Sequence, residues 1–200
     1  MKLLYPVVTA LTLSTLSFAT LAKDLPTGTW EVAGGSNLQF LSAQTEIDGN
    51  SGETEFDQST FSIEATARYY FQNNLAFQLG YEYSNETTEY EDNSEEETSS
   101  FALKPGIAYN HSLNEDAAIL FYANLFLGRL EYDETFGDSV EGDLSGFGFG
   151  AEYRQFVRDN ISLNIGASYF DTETEFDDDN DTTLSISGTQ IAVGASLYLF

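Results

Sequence analysis

Ile161-Ser162-Leu163-Asn164-Ile165-Gly166-Ala167-Ser168-Tyr169 carries the decisive pattern of this chain. Apolar side chains take the odd numbers; polar or very small ones take the even numbers. Successive side chains of a strand point to opposite faces. The segment therefore reads as a strand with one greasy face and one polar face. The same beat recurs from Trp30 to Phe200. A soluble sandwich alternates in the same way, so further features must decide between the two.

Eight strands are predicted. The first is Gly28 to Ser42, with Trp30, Val32, Leu38 and Phe40 on one face. The second is Thr60 to Phe71, with Phe61, Ile63, Ala65, Ala67, Tyr69 and Phe71 outward. The third, Leu75 to Ser84, follows a tight turn of residues that tolerate left-handed backbone. The fourth, Ser99 to Asn110, contains Pro105, which lacks the N–H a closed ladder needs; a bulge or kink is expected there. The fifth, Ala117 to Glu131, is apolar on both parities as far as Ala123, so its phase is open. The sixth, Leu144 to Gln155, points Phe147, Phe149, Ala151 and Tyr153 outward and Gly146, Gly148 and Gly150 inward. The seventh is Ile161 to Phe170 and the eighth Leu184 to Phe200.

The connections alternate in length. Gln72 to Asn74, Asn110 to Asp116 and Val157 to Asn160 are short. Ala43 to Ser59, Asn85 to Thr98, Tyr132 to Asp143 and Asp171 to Thr183 are long. Outer-membrane barrels have short periplasmic turns and long outer loops, whereas a sandwich has no reason to alternate this way. Aromatic residues gather where membrane interfaces should be. Trp30, Tyr69, Phe71, Tyr109, Tyr153 and Phe156 fall at one set of strand ends. Phe40, Phe61, Tyr81, Tyr83, Phe101, Phe147 and Tyr169 fall towards the other. The expected architecture is an all-β, eight-stranded antiparallel up-and-down transmembrane β-barrel.

Residues 1–22 read as a cleaved export signal, with residues 23–200 as one barrel domain. Lys2 gives a positive start, Leu3 to Phe18 is uncharged and apolar, and Thr20-Leu21-Ala22 is a small-x-small cleavage site. The chain has no cysteine, so neither a lipid anchor on cysteine nor a disulfide is available. A mean hydropathy of -0.25 is low for a membrane protein. It suits a barrel, where only alternate strand residues meet lipid.

The chain ends Gly194-Ala195-Ser196-Leu197-Tyr198-Leu199-Phe200. A final Phe with an aromatic residue two places earlier resembles the terminal signal of Gram-negative outer-membrane barrels. With the export signal and eight strands, the mature chain is similar to small outer-membrane β-barrels of the OmpA-transmembrane or OmpX type. That resemblance implies a location in the outer membrane and contact with its lipid and lipopolysaccharide. It also implies periplasmic chaperones, and recognition of Tyr198 and Phe200 by the barrel assembly machinery. One departure stands out. Ile191, Val193, Ala195, Leu197 and Leu199 form the greasier face, opposite in parity to Tyr198 and Phe200. Either the strand slips phase or Tyr198 points inward.

An eight-stranded barrel is just wide enough to be filled by side chains. By the phases above, Glu64, Arg68, Glu82, Lys104, Glu152 and Arg154 face the lumen. Unpaired charges there are costly, so a Glu64–Lys104–Glu82 cluster is expected at mid-height, with Arg68 and Arg154 nearer the periplasm. Such a network can serve as a structural plug, or as a gate whose pairs exchange partners.

The net charge is -26, and most of the 33 acidic residues lie in the four long connections. That excess argues against nucleic acid as a partner. It should attract calcium or magnesium, which prefer oxygen ligands. Diffuse binding is expected at Asp177, Asp179, Asp181, Glu95 and Glu97 rather than a built site. Asp177-Asp178-Asp179-Asn180-Asp181 lacks EF-hand spacing, since Thr182 stands where Gly is required and Gly188 where Glu is required. No resident cofactor is implied. A solvated surface that resists aggregation explains the same acids.

Arg129, at the outer end of the fifth strand, is a candidate contact for a lipopolysaccharide phosphate. The single histidine, His111, falls in a short turn, away from any site where a nucleophile could use it, so no enzyme is expected. The sequence favours a structural or surface-interaction role. A narrow porin-like channel for cations or small solutes is the alternative, and a loop-mediated adhesin the third reading.

Overall fold

The computed structural model describes residues 24–200 apart from 48–49, 90–94, 135–139 and 177–181; over 36–47, 50–61, 85–89, 95–97 and 132–134 it describes the backbone alone. The export segment expected over 1–22 lies outside the described residues. So do Asp177, Asp179 and Asp181, and Glu95 and Glu97 are placed by backbone only.

Eight strands run in chain order: β1 Trp30–Ile47, β2 Asn50–Gln72, β3 Leu75–Glu89, β4 Glu95–Ser112, β5 Ala117–Glu134, β6 Val140–Arg158, β7 Ile161–Phe176 and β8 Thr183–Leu199. Each pairs antiparallel with its neighbours, and β1 closes on β8, giving one closed up-and-down barrel. The barrel read from the alternation is the fold observed.

Both described chain ends and the short turns lie at one end of the barrel, here the terminal end. Asn74 makes the β2–β3 turn possible with a φ of 65°. The side chains follow the expected alternation. Val32, Ile63, Leu79, Leu103, Ile107, Leu125, Phe149, Ile165 and Val193 stand exposed on the outer wall. Trp30 packs on Tyr69 at the terminal end, with ring centroids 4.9 Å apart.

Several expectations need correction. The long connections are mostly strand. β2 is 23 residues long and even β3 is 15, whereas crossing a bilayer takes about 9–11. Acidic residues are poor strand formers, and so the sequence reads as loop; once a ladder is in register, its pairing continues into them. The register sets like charges opposite one another: Glu89 faces Glu95, Glu97 faces Asp133, Glu96 faces Glu134 and Glu131 faces Glu141.

Pro105 produces no register shift. Pairing of β4 with β5 lapses between Leu103 and Gly106 and resumes in the same register, while Pro105 keeps its place opposite Leu79 on β3. The shifts occur elsewhere, between Leu41 and Ala43, Tyr70 and Gln72, and Phe156 and Arg158. The open phase of β5 resolves with even numbers inward: Leu120, Asn124 and Phe126 are buried, and Phe121 and Leu125 are exposed. Phe156, expected in the terminal-end girdle, points inward instead and packs on Tyr198 at 5.4 Å. The shift beside it at Val157 lets the last turn of β6 bend without moving the strand's inner face. β8 runs without a slip against both neighbours, and Tyr198 is 1% exposed: it points into the lumen.

Candidate functional site in the lumen

From the terminal end upward, the lumen is filled in layers. The lowest is apolar. Leu25, in the segment before β1, is buried with Tyr70, Ala76, Ala118, Phe156 and Tyr198. The Tyr198 hydroxyl lies 3.0 Å from Ser162 Oγ.

Above it sits an ion cluster centred on Glu31. The parity that turns Trp30 and Val32 outward turns Glu31 inward, where it is fully buried. Arg68 Nη1 donates to Glu31 Oε1 at 2.6 Å. Arg154 donates to the same carboxylate through Nη2 at 2.8 Å and Nη1 at 3.1 Å. The Tyr70 and Ser196 hydroxyls each donate to Glu31 at 2.8 Å. Arg154 Nε also donates to Glu152 Oε1 at 2.8 Å, and Arg68 Nε to Gln78 Oε1 at 3.1 Å. Two guanidinium groups are thus matched by two carboxylates, and the donors around Glu31 satisfy both its oxygens. Without that matching, burial of these charges would be strongly unfavourable.

Next comes a cavity of about 50 Å³ of mixed lining, bounded by Glu64, Arg68, Gln78 and Glu152 and by Ala33 and Ala192 among others. At mid-height Lys104 bridges two carboxylates, with Nζ 2.6 Å from Glu64 Oε2 and 2.7 Å from Glu82 Oε2. Ser62 donates to Glu82 at 3.0 Å and Thr66 to Glu64 at 2.9 Å. The ammonium also lies 5.4 Å from the centre of the Phe126 ring, a cation–π distance.

Beyond Lys104 the filling is apolar again. Phe126, Phe170 and Ala102 are buried together, with Leu144 and Ile186 packed against them. Two inward glycines of β6 make room here. A Cβ at Gly148 would stand 2.8 Å from Phe126 Cε2, and one at Gly150 would stand 2.7 Å from the Tyr122 hydroxyl.

The structure therefore brings Glu64, Lys104 and Glu82 together in one cluster, and Arg68, Glu152 and Arg154 in another nearer the terminal end. The sequence reading missed Glu31, although its phase was readable from Trp30 and Val32, and it missed the Leu25 segment, which carries no alternation. Outside the lumen, Arg129 stands on the outer wall with a 60% exposed side chain, 3.2 Å from Glu141 and 3.6 Å from Asp143. His111 is exposed near the end of β4, and no group of acids, histidines or cysteines among the described residues is arranged to hold a metal.

Comparison with known proteins agrees with this geometry. Three solved structures share the fold. OprG from Pseudomonas aeruginosa, an outer membrane protein, matches with a TM-score of 0.61 at 13% identity, covering 89% of this chain and 99% of that one. Neisserial surface protein A matches at 0.54 and 15%, covering 85% and 98%. Ail of Yersinia pestis, solved with the heparin analogue sucrose octasulfate, matches at 0.51 and 16%, covering 86% and 99%. No curated protein sequence matches. The outer membrane protein beta-barrel domain matches residues 8–198, nearly the whole chain, and the protein belongs to that family.

Proposed function

We propose that this outer-membrane barrel works at its surface rather than through its lumen. The observation that carries the reading is the filling of the lumen. Apolar layers around Leu25 and Phe126 lie below and above two hydrogen-bonded ion clusters, one with two arginines and two carboxylates and one with Lys104 between two carboxylates. Ions crossing this column would have to break pairs that are worth keeping intact. The barrel then anchors a projecting acidic end on the cell exterior, after export by a cleaved signal and assembly by the periplasmic chaperones and the barrel machinery. The acids there attract divalent cations diffusely and shared lipopolysaccharide counter-ions with them. Partners should be cationic. Ail was solved with a sulfated polyanion; the acidic rungs here would repel such a ligand. With its single histidine, His111, exposed near the end of β4, the protein is read as non-enzymatic.

Planar-bilayer recording of the folded protein tests this, beside Lys104→Ala. Silence from both supports the surface role. Reproducible cation-selective steps, altered by the substitution, would replace it with the channel reading. That reading has one observation in its favour: Lys104 lies almost equally close to Glu64 and Glu82, a geometry from which one partner can be exchanged.

A further inference from the structure

The segment before β1 does more than lead into the barrel. Of residues 24–29, only Leu25 and Thr29 are buried; the rest are exposed. Gly28, with a φ of 95° and nothing within 4 Å of a Cβ position, turns the chain across the mouth of the barrel. The crossing is held from both sides. Near β1, Gly28 N donates to Tyr70 O at 2.8 Å and Tyr70 N to Thr29 O at 3.0 Å. Farther out, most bonds go to the β2–β3 turn, and Ser112 Oγ at the end of β4 donates to Asp24 Oδ1 at 3.4 Å. Leu25 N donates to Asn74 Oδ1 at 2.9 Å, and Asn74 N donates back to Leu25 O at 2.9 Å. Asn74 Nδ2 donates to Asp24 Oδ1 at 2.8 Å, and Thr27 reaches Asn73 Oδ1 at 3.2 Å through N and Oγ1. These bonds seat a single side chain, Leu25, on a lumen floor made by Tyr70, Ala76, Ala118, Phe156 and Tyr198.

We propose that residues 24–29 are a latched strap across the terminal mouth of the lumen, with Gly28 as hinge, Asn74 as latch and Leu25 as stopper. Swinging the strap about Gly28 opens the lumen floor to water and small solutes from the terminal side and leaves the barrel wall intact. Most of the strap's outer side-chain bonds are exposed, so it opens more readily than the paired strands. It acts independently of whatever the acidic end binds.

The absence of cysteine gives a clean background for the test. Ala118→Cys places a thiol on the floor beneath Leu25; Ala102→Cys places one in the apolar layer above Lys104. Each is introduced alone, then with Asn74→Gly, which keeps the turn's left-handed backbone and removes the side-chain bonds, or with Leu25→Ala. The folded proteins in lipid vesicles are treated with methyl methanethiosulfonate. The expected result is slow reaction at position 118 in the otherwise native chain. Either strap substitution should raise it about tenfold or more, in line with the loss of the two Asn74 side-chain hydrogen bonds or of a buried leucine. Position 102 should not change. Fast reaction at 118 with the strap intact, or no rise on releasing it, overturns the proposal. An equal rise at 118 and 102 does so too, because it would mean the whole barrel had loosened.

Discussion

Glu31→Gln should be the most damaging single substitution in the lumen that preserves shape. Glu31 accepts from Arg68, Arg154, Tyr70 and Ser196 and is fully buried. The amide removes one negative charge and replaces an acceptor with a donor that faces guanidinium groups. Two arginines are then left with Glu152 alone. Breaking a buried pair while leaving its partner charged costs about 3–5 kcal/mol. Urea unfolding in lipid vesicles measures it, with the single tryptophan, Trp30, as the fluorescent reporter at the terminal end. Folded and unfolded populations can be checked by gel mobility. A loss of about 3 kcal/mol or more is expected. The loss should shrink in Glu31→Gln/Arg68→Met, which restores charge balance, with a coupling of at least about 1 kcal/mol. A Glu31→Gln protein within about 0.5 kcal/mol of the native chain would refute the claim that this cluster is held by charge matching.

Three further substitutions separate wall from lumen, and one condition probes the acidic end. Gly106→Ala forces a Cβ against the Ala123 carbonyl and the Asn124 Cα, both backbone, and should cost about 1–3 kcal/mol; Gly148→Ala presses mainly on the Phe126 ring edge at 2.8 Å, with the Tyr169 carbonyl farther off at 3.3 Å, and should cost less in the same unfolding assay. Ile165→Arg puts a charge in the middle of the outward apolar row of β7 and should lose about 2–4 kcal/mol in vesicles. At the acidic end, raising monovalent salt from about 0.01 to about 0.15 M shortens the screening length from roughly 30 to 8 Å. Hydrogen exchange should then slow in the paired acidic segments around Glu89–Glu95 and Glu97–Asp133 and stay constant around Ile165.

The wall was legible because its signal is periodic: one residue in two must meet lipid, and Ile161 to Tyr169 shows it plainly. The lumen was half legible. Parity placed Lys104 between carboxylates, yet parity names no contacts, and Glu31 was passed over although the same rule turned it inward. Phe156 and Tyr198 were harder still. Aromatic residues near strand ends suit either an interface or a lumen floor, and composition alone does not choose. Strand length was misread for a physical reason. Propensity marks Glu and Asp as poor strand formers, whereas cooperative pairing with neighbours already in register carries strands through them. The Leu25 strap had no periodic signal at all; its position depends on the Asn73–Asn74 turn, some 50 residues away in sequence.

The seam between β1 and β8 has a consequence for how this molecule comes into being. Trp30 lies opposite Leu199, and the Ser196 hydroxyl that completes the shell of Glu31 is 165 residues away along the chain. Such long-range pairing makes folding slow. Until the last strand docks, two raw edges remain open to any other strand in the cell. A chain missing residues 196–200 would keep most of the β8 pairing, yet its seam would stay open at the terminal end and Glu31 would be short of a donor. Synthesis runs from the amino end, so Glu31 waits for a donor made 165 residues later. One edge of β1 must therefore stay unpaired until β8 has been made.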